Sequence, residues 1–349
     1  MVLNNLTVFV CIVVEVVCVA VVGISTTTTA AAAAGGGAEI IHPARVFDPI
    51  GLQHYTLRFP ATATATGRKS SISFHLSQAE TSTCAVPRRT ITTTNSTTTT
   101  PPPEEEEQDE TARVLWGASV ALTQYLLHGL FPIPEEERPP PPHQPQHPFY
   151  QKTVLELGAG SQALPSLVCA CCVGGPPHRV IATDAIAATL EQIRYHVGLN
   201  SRPQQPPPPT TTFLETYPLD WTKTSQLDTL LHEQELAHTV DIILAADVLY
   251  GTDLVPALVT VIDRLVSYDR DSRVILATRE GRDGIAEFRD RMTNTTIAAV
   301  FDELRVDTLD AAFLPPLPDE LQRTEDARMI RNRYYGNFTI YTYQRKRGR

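Results

Sequence analysis

The chain has 349 residues, of which 28 are proline and 19% are charged, and its formal net charge at pH 7 is −10. Proline above the average of about 5% and charge below the average of about 25% indicate long segments outside a compact core. The hydrophobic share of 42% nevertheless excludes a wholly disordered protein. The excess of 39 acidic over 29 basic residues argues against a nucleic-acid binder.

The first 38 residues combine an apolar segment with a low-complexity Thr, Ala and Gly tract, and we expect 1–38 to lie outside the fold. Residues 6–24 are about long enough to span a bilayer. Glu15 stands at the centre of this segment, and no Lys or Arg flanks it. The six cysteines form no spaced disulfide framework. We therefore expect a cytoplasmic protein, and the alternative is a membrane anchor at 6–24.

Short runs of residues with high β propensity predict a β-hairpin extension at 39–80. The Thr, Pro and Glu runs that follow predict a disordered linker at 81–111. Apolar residues at spacings of three and four then predict a helix. We place one α/β domain at 112–349, with proline-rich inserts at 132–148 and 201–209. Surface loops tolerate such inserts at small entropic cost.

From residue 153 onward, short apolar strands alternate with amphipathic helices, which is typical of a parallel α/β sheet. The sequence therefore predicts a Rossmann-like, seven-stranded, mostly parallel twisted sheet with helices on both faces. The predicted strands are 154–157, 180–184, 213–217, 241–247, 273–278, 301–306 and 338–343, and the predicted helices include 164–173, 187–199 and 254–266.

A glycine turn, Gly158-Ala159-Gly160, follows the first buried strand and precedes a helix. Glycines there let the backbone approach a ligand, and the helix start points N–H groups at it. The run also satisfies the dinucleotide pattern G-x-G-x-x-A. The turn alone therefore leaves a nicotinamide cofactor and an adenosyl cofactor both open.

Asp184 ends the second strand, where a carboxylate can accept both hydroxyls of a ribose. The alternative is a helix N-cap. Asp247 ends the fourth strand, which lies beside the first in a doubly wound sheet, and Tyr250 follows three residues later. An acid and a phenol at that point can receive and orient an amine. Glu156 adds an acid that suits a cationic amino acid moiety and repels a pyrophosphate, which favours S-adenosyl-L-methionine.

Each of the two tryptophans is next to this predicted site in the sequence. Trp221 follows the third strand and can lie by an adenine, and Trp116 precedes the first strand and can close the pocket. Core packing is the alternative for both.

The ordered motifs LWGASVALTQYL, VLELGAGSQALPSLVCA, VIATDA, IRYHVGLN, LDW and DIILAADVLY resemble the seven-β-strand methyltransferases of the protein-lysine methyltransferase family 16 group over residues 112–345. The branch with the strongest likeness is the fungal one that includes elongation factor methyltransferases, once described as nicotinamide N-methyltransferase-like. The resemblance implies these roles: Trp116 beside the cofactor, Gly158, Ala159 and Gly160 at its methionine part, Asp184 on the ribose, Trp221 by the adenine, Ala246 lining the pocket, and Asp247 and Tyr250 as the D-x-x-Y pair.

The sequence departs from that branch after the ribose acid, where Ala185-Ile186 replaces the usual Tyr-Pro. We expect methyl transfer from S-adenosylmethionine to a lysine of a protein substrate such as a translation elongation factor, by a monomer without a metal or a nucleic-acid partner. The alternatives are methylation of a small amine such as nicotinamide, a binding module without turnover, and an NAD-dependent oxidoreductase.

Overall fold

The structure, a computed structural model, describes residues 52–59, 72–79, 114–127, 149, 151–171, 177–200, 214–293, 301–323 and 327–346. The predicted apolar segment, the linker and both proline-rich inserts lie outside these residues, so their interpretation stays a prediction. In the described part of the chain, no helix is long and apolar enough to cross a membrane.

The strands, in chain order, are β1 (Leu52–Phe59), β2 (Ile72–Ala79), β3 (Thr153–Leu157), β4 (Arg179–Asp184), β5 (Leu214–Pro218), β6 (Ile242–Ala246), β7 (Arg273–Arg279), β8 (Phe301–Leu309) and β9 (Phe338–Arg345). The α-helices are α1 (Gly117–Leu127), α2 (Leu164–Cys171), α3 (Ala187–Asn200), α4 (Thr224–Asp228), α5 (Val255–Leu265), α6 (Ile285–Thr293), α7 (Asp319–Gln322) and α8 (Ala327–Tyr334). A π-helical turn spans Thr229–Glu233, and a 3₁₀ turn spans Ala311–Phe313.

Seven of these strands form one sheet in the order β5-β4-β3-β6-β7-β9-β8. The five strands from β5 to β7 in this order run parallel, whereas β9 is antiparallel to both β7 and β8. The predicted seven-stranded, mostly parallel sheet is therefore confirmed. The chain reverses its direction of strand addition at β3, which pairs with β4 on one side and β6 on the other. Ligands of open α/β sheets bind at this switch point.

Helices cover both faces of the sheet, which explains why the sequences of its central strands are continuous apolar runs. In β3, Val154 packs in a cluster with residues of α1 and α2 such as Leu167, whereas Leu155 packs in a second cluster with residues of α5 such as Leu258. All four side chains are at most 1% exposed. The central strand is therefore buried on both sides, and only its carboxyl end is left to meet a ligand.

The N-terminal addition is an antiparallel pair of strands, β1 and β2, as the sequence predicted. A buried histidine of α3, His196, joins this pair to the main domain. The His196 Nδ1 lies 2.7 Å from the carbonyl oxygen of Ser161, which requires a proton on that nitrogen, and Nε2 accepts from the N–H of Ser77 at 3.0 Å. The β-hairpin is thereby bonded, through one ring, to the residue that follows the glycine turn.

Candidate active site

The carboxyl ends of β3, β4 and β6 meet at one edge of the sheet, because these three strands are parallel neighbours. Gly158 follows β3, Asp184 ends β4 and Asp247 follows β6. Most of the residues predicted from the sequence as a site therefore come from three adjacent strand ends, where the topology places a ligand.

The glycine turn needs glycine for two separate reasons at its first position. The backbone of Gly158 has φ +60°, a left-handed conformation that side chains with a Cβ rarely adopt. A Cβ there would also lie 2.9 Å from Cγ1 of Val248 and 3.4 Å from the Trp221 ring. Gly160 is left-handed as well, with φ +59°. The turn is therefore tight, and its first glycine lies directly against the indole of Trp221.

Asp184 ties the end of β4 to this turn. Its Oδ2 accepts a hydrogen bond from the N–H of Gly160 at 3.0 Å, and its Oδ1 accepts one from the N–H of Ile186, also at 3.0 Å. The Ala159 N–H adds a bond to the Thr183 carbonyl at 2.9 Å. Only 6% of Asp184 is exposed. Each carboxylate oxygen has a further lone pair, so a fixed acceptor for ribose hydroxyls can coexist with these bonds.

Trp221 lies next to the turn, two residues beyond the buried Leu219, whose N–H donates to the Asp184 carbonyl at 2.9 Å. The indole Nε1–H of Trp221 is buried and donates to no acceptor among the described residues. A buried donor without an acceptor costs about 1–3 kcal/mol. The aromatic wall and its unsatisfied donor fit a ligand that has both a flat ring and polar acceptors, such as an adenosyl group.

Glu156 lies beneath the glycine turn and is 1% exposed. Its Oε2 accepts from the N–H of Ser166 at 2.9 Å and from the Ser166 hydroxyl at 2.5 Å. Ser166 is in the first turn of α2, where backbone N–H groups have no partner within the helix. Burial raises the pKa of Glu156 to about 8, and the nearby Asp184 adds to this rise while the Ser166 bonds oppose it. Its contact with a cofactor ammonium stays a prediction.

Replacing Glu156 by glutamine is expected to flatten the pH dependence of stability. The pKa of this carboxyl is about 8 in the folded chain against an ordinary 4.5, so folding disfavours its ionised form. The contribution of this carboxyl to the stability of the parent is then largest below pH 4.5 and is lost as the pH rises from 4.5 through 8, by at most about 1.4 kcal/mol per pH unit. Glutamine keeps an acceptor for Ser166 but does not titrate.

Urea unfolding of both proteins at about pH 5 and about pH 8 measures this difference as a free energy of unfolding. The control is Glu233→Gln, which changes a solvent-exposed side chain and should leave the pH slope of the parent unchanged. Equal pH slopes for the parent and Glu156→Gln would contradict the expectation.

Asp247 follows β6 with φ +56°, a left-handed backbone that is strained for a residue other than glycine. Its side chain is only 5% exposed and forms a bidentate ion pair with Arg282, with Nε to Oδ1 at 2.8 Å and Nη2 to Oδ2. This pairing raises the pKa of Arg282. The carboxylate that the sequence assigned to an incoming amine is therefore already held by a guanidinium group.

Tyr250 and Trp116 lie at the rim of this edge. Tyr250 is 58% exposed, which leaves its ring accessible from solvent. Trp116 precedes α1, and the guanidinium carbons of Arg282 and Arg333 lie 5.7 Å and 5.1 Å from its ring centroid. Such distances allow cation–π attraction. Ala246, the last residue of β6, is partly buried.

Three residues of this region were missed by the sequence reasoning: Ser166, Arg282 and Arg333. A signal existed for Arg282, because β7 is the neighbour of β6 and Gly281, with φ +83°, turns the chain directly after it. An arginine after such a turn is expected near the end of β6. For the other two, sequence spacing carries no comparable signal. Across the described residues, no group of three or more His, Cys, Asp or Glu side chains could hold a metal ion.

A family model described as lysine methyltransferase matches residues 102–295, more than half of the chain. The chain belongs to the lysine methyltransferase family. The resemblance drawn from the sequence motifs is thereby confirmed, and the family implies S-adenosylmethionine as the methyl donor, as predicted.

Individual relatives match a smaller part of the chain. Protein-lysine N-methyltransferase EEF2KMT of Mus musculus is 34% identical over 128 residues, covering 36% of this chain and 35% of the mouse protein. The protein of the same name from Bos taurus is 33% identical over 138 residues, covering 36% of this chain and 38% of its own. The chain therefore spans a little over a third of the length of these curated relatives.

Among solved structures, a geranyl diphosphate methyltransferase in complex with GPP and sinefungin has a TM-score of 0.38 and 12% identity, and the match covers 64% of this chain and 76% of that one. A likeness of this size carries no argument about the substrate.

Proposed function

We propose that this chain transfers a methyl group from S-adenosylmethionine to the side-chain amine of a lysine in a protein substrate. The observation that carries the proposal is the meeting of the glycine turn, Asp184 and Trp221 at the switch point of the sheet, beside the unsatisfied indole N–H. Membership of the lysine methyltransferase family supports the reaction and the target side chain.

Each part of the site has a role in binding the methyl donor, which supplies an electrophilic methyl group. The backbone of the glycine turn would hold its amino acid portion, since Gly158 has no Cβ to block the approach. The Asp184 carboxylate would accept from its ribose hydroxyls. The ring and the unsatisfied Nε1–H of Trp221 would hold its base. Positioning of the two reactants accounts for most of the rate enhancement expected for such a transfer.

The acceptor amine must lose a proton before it can react, because lysine has an ordinary pKa of about 10.4. Burial of the amine between Trp116 and Tyr250 would lower that pKa by desolvation. Asp247 is not an open receptor for this amine, since both its oxygens accept from Arg282. We infer that Asp247 holds Arg282 against Trp116 at the rim and that Tyr250 orients the free amine.

The proposed substrate is a translation elongation factor. The support is the resemblance of the sequence motifs to the elongation factor branch, together with two relatives that carry the name protein-lysine N-methyltransferase EEF2KMT. The protein is proposed to act as a cytoplasmic monomer.

Two measurements on the full chain test the proposal. Calorimetry should detect binding of S-adenosylhomocysteine and no binding of NAD, and binding of NAD alone would overturn the cofactor assignment. Radiolabel from S-adenosylmethionine should then enter a purified elongation factor, with the same factor chemically acetylated on its lysines as the control. Label in the small-molecule fraction of a lysate, with none in protein, would instead indicate a small amine as the substrate.

A further inference from the structure

The last part of the chain has an unusual charge. Residues 327–349 hold six arginines and one lysine but no Asp or Glu, although the whole chain has a net charge of −10. The helix α8 lies in this part and has two inward residues one turn apart, Ile330 and Tyr334, which are 4% and 0% exposed. The Tyr334 hydroxyl donates to the Pro315 carbonyl at 2.8 Å. Ile330 and Tyr334 therefore anchor this helix, whereas Arg328, Arg331 and Asn332 are exposed.

Three arginines lie on α8 away from Ile330 and Tyr334, and we call them the α8 arginine face. Arg328 and Arg331 are neighbours one turn apart, and Arg333 is on the flank of the helix that meets Trp116. The first two are exposed, and Arg333 is half-buried where it lies 5.1 Å from the ring centroid of Trp116. A fourth guanidinium, that of Arg279, donates to the Asn332 carbonyl at 2.6 Å and so lies at the C-terminal end of the helix. The basic surface thus reaches the rim of the candidate active site.

The α8 arginine face differs from most arginines elsewhere in the described chain because its guanidinium groups form no ion pair with a described carboxylate. Most arginines of other helices and strands form ion pairs with carboxylates of this protein. Examples are Arg179 with Glu215 at 2.6 Å, Arg264 with Asp228 at 3.3 Å and Arg289 with Glu303 at 2.9 Å. Planar guanidinium groups bind carboxylates in a bidentate manner, so three that pair with no carboxylate of the described residues are suited to carboxylates from another molecule.

We propose that the α8 arginine face binds an acidic segment of the protein substrate and thereby directs a neighbouring lysine to the rim at Trp116. This inference rests on the proposed function, since it supplies the specificity of that same reaction. Charge complementarity favours a short acidic segment over RNA. A chain with a net charge of −10 repels a long polyanion. The few carboxylates of a short segment are subject mainly to the positive potential of the nearby arginines of α8.

The test reverses the charges of the two exposed arginines and leaves Arg333 and Trp116 unchanged. The variant is Arg328→Glu/Arg331→Glu in the full chain, and the matched control is Arg58→Glu/Arg194→Glu, which makes the same charge change at two other exposed arginines. The probe is a short fluorescein-labelled poly-L-glutamate, followed by fluorescence anisotropy. We expect the α8 variant to bind it about tenfold more weakly than the parent, or about 1.4 kcal/mol, and the control to stay near the parent.

Two outcomes of the binding assay overturn the proposal. The first is an equal loss in the α8 variant and the control, which would indicate a response to net charge alone. The second is tighter binding of single-stranded polyuridylate than of polyglutamate through the same two arginines, which would indicate an RNA surface. Unchanged affinity for S-adenosylhomocysteine in both variants establishes that the α8 substitutions left the fold intact.

Methyl transfer to the elongation factor gives a second measurement. The α8 variant should raise KM about tenfold while kcat stays near that of the parent, because the surface binds substrate away from the reacting amine. A fall in kcat with an unchanged KM would contradict a docking role. If the parent transfers no methyl group but still binds polyglutamate through α8, the proposed function is wrong, whereas the binding of acidic segments by the α8 arginine face is supported.

Discussion

Replacing Asp184 by asparagine is expected to weaken the binding of S-adenosylhomocysteine by about tenfold to a hundredfold, or about 1.5–3 kcal/mol. The carboxylate is nearly buried and accepts from the backbone N–H groups of Gly160 and Ile186. An asparagine amide has one acceptor oxygen and an NH2 group that only donates, so one of these two bonds is lost and the ribose hydroxyls face a neutral group. Isothermal calorimetry on the full chain measures the change.

The matched control is Asp241→Asn at the opposite edge of the sheet. Asp241 also accepts a backbone hydrogen bond, from Thr153 at 2.8 Å, and it pairs with Lys152 at 3.3 Å. Its replacement should lower the free energy of unfolding to a similar extent without changing the affinity for the ligand. Equal ligand affinities for Asp184→Asn and the parent would remove Asp184 from the site, and an equal loss of affinity in both variants would indicate an effect of stability alone.

Replacing Arg282 by alanine is expected to destabilise the fold by about 3–5 kcal/mol, because it leaves the buried Asp247 carboxylate without its guanidinium partner. The double variant Asp247→Ala/Arg282→Ala should be more stable than Arg282→Ala, since no unpaired charge remains. Urea unfolding of the parent, the two single variants and the double variant gives the coupling free energy of the pair.

The same variants separate the structural role of the pair from its role in methyl transfer. Asp247→Ala should lower kcat for methyl transfer while its affinity for S-adenosylhomocysteine stays near that of the parent. The surface pair Arg264 and Asp228, at 3.3 Å, is the control, and Arg264→Ala should cost no more than about 1 kcal/mol. A coupling free energy of the Asp247 pair no larger than that of this surface pair would contradict a buried, structure-determining ion pair.

Much of the fold could be predicted because the signals are local. The alternation of apolar strands with amphipathic helices indicated the seven-stranded sheet, and the Gly158 turn was visible as glycines between a strand and a helix. Asp184 and Asp247 could be assigned to one edge, since parallel strands carry their carboxyl ends together. The antiparallel direction of β9 relative to β7 and β8 was not specified in advance, because strand direction depends on how the chain returns to the sheet.

The sequence by itself determined the number of strands in the main sheet and the residue types at the switch point, because burial period and turn chemistry are properties of neighbouring residues. The resemblance of its motifs indicated the family. Only the tertiary structure decided which partners the side chains at the switch point take. Arg282 reaches Asp247 across 35 positions, and Ser166 reaches Glu156 across 10. Such contacts depend on the packing of separate elements and on rotamers, neither of which is encoded by spacing. For this reason Asp247 was predicted as a receptor for an amine and is found paired with a guanidinium.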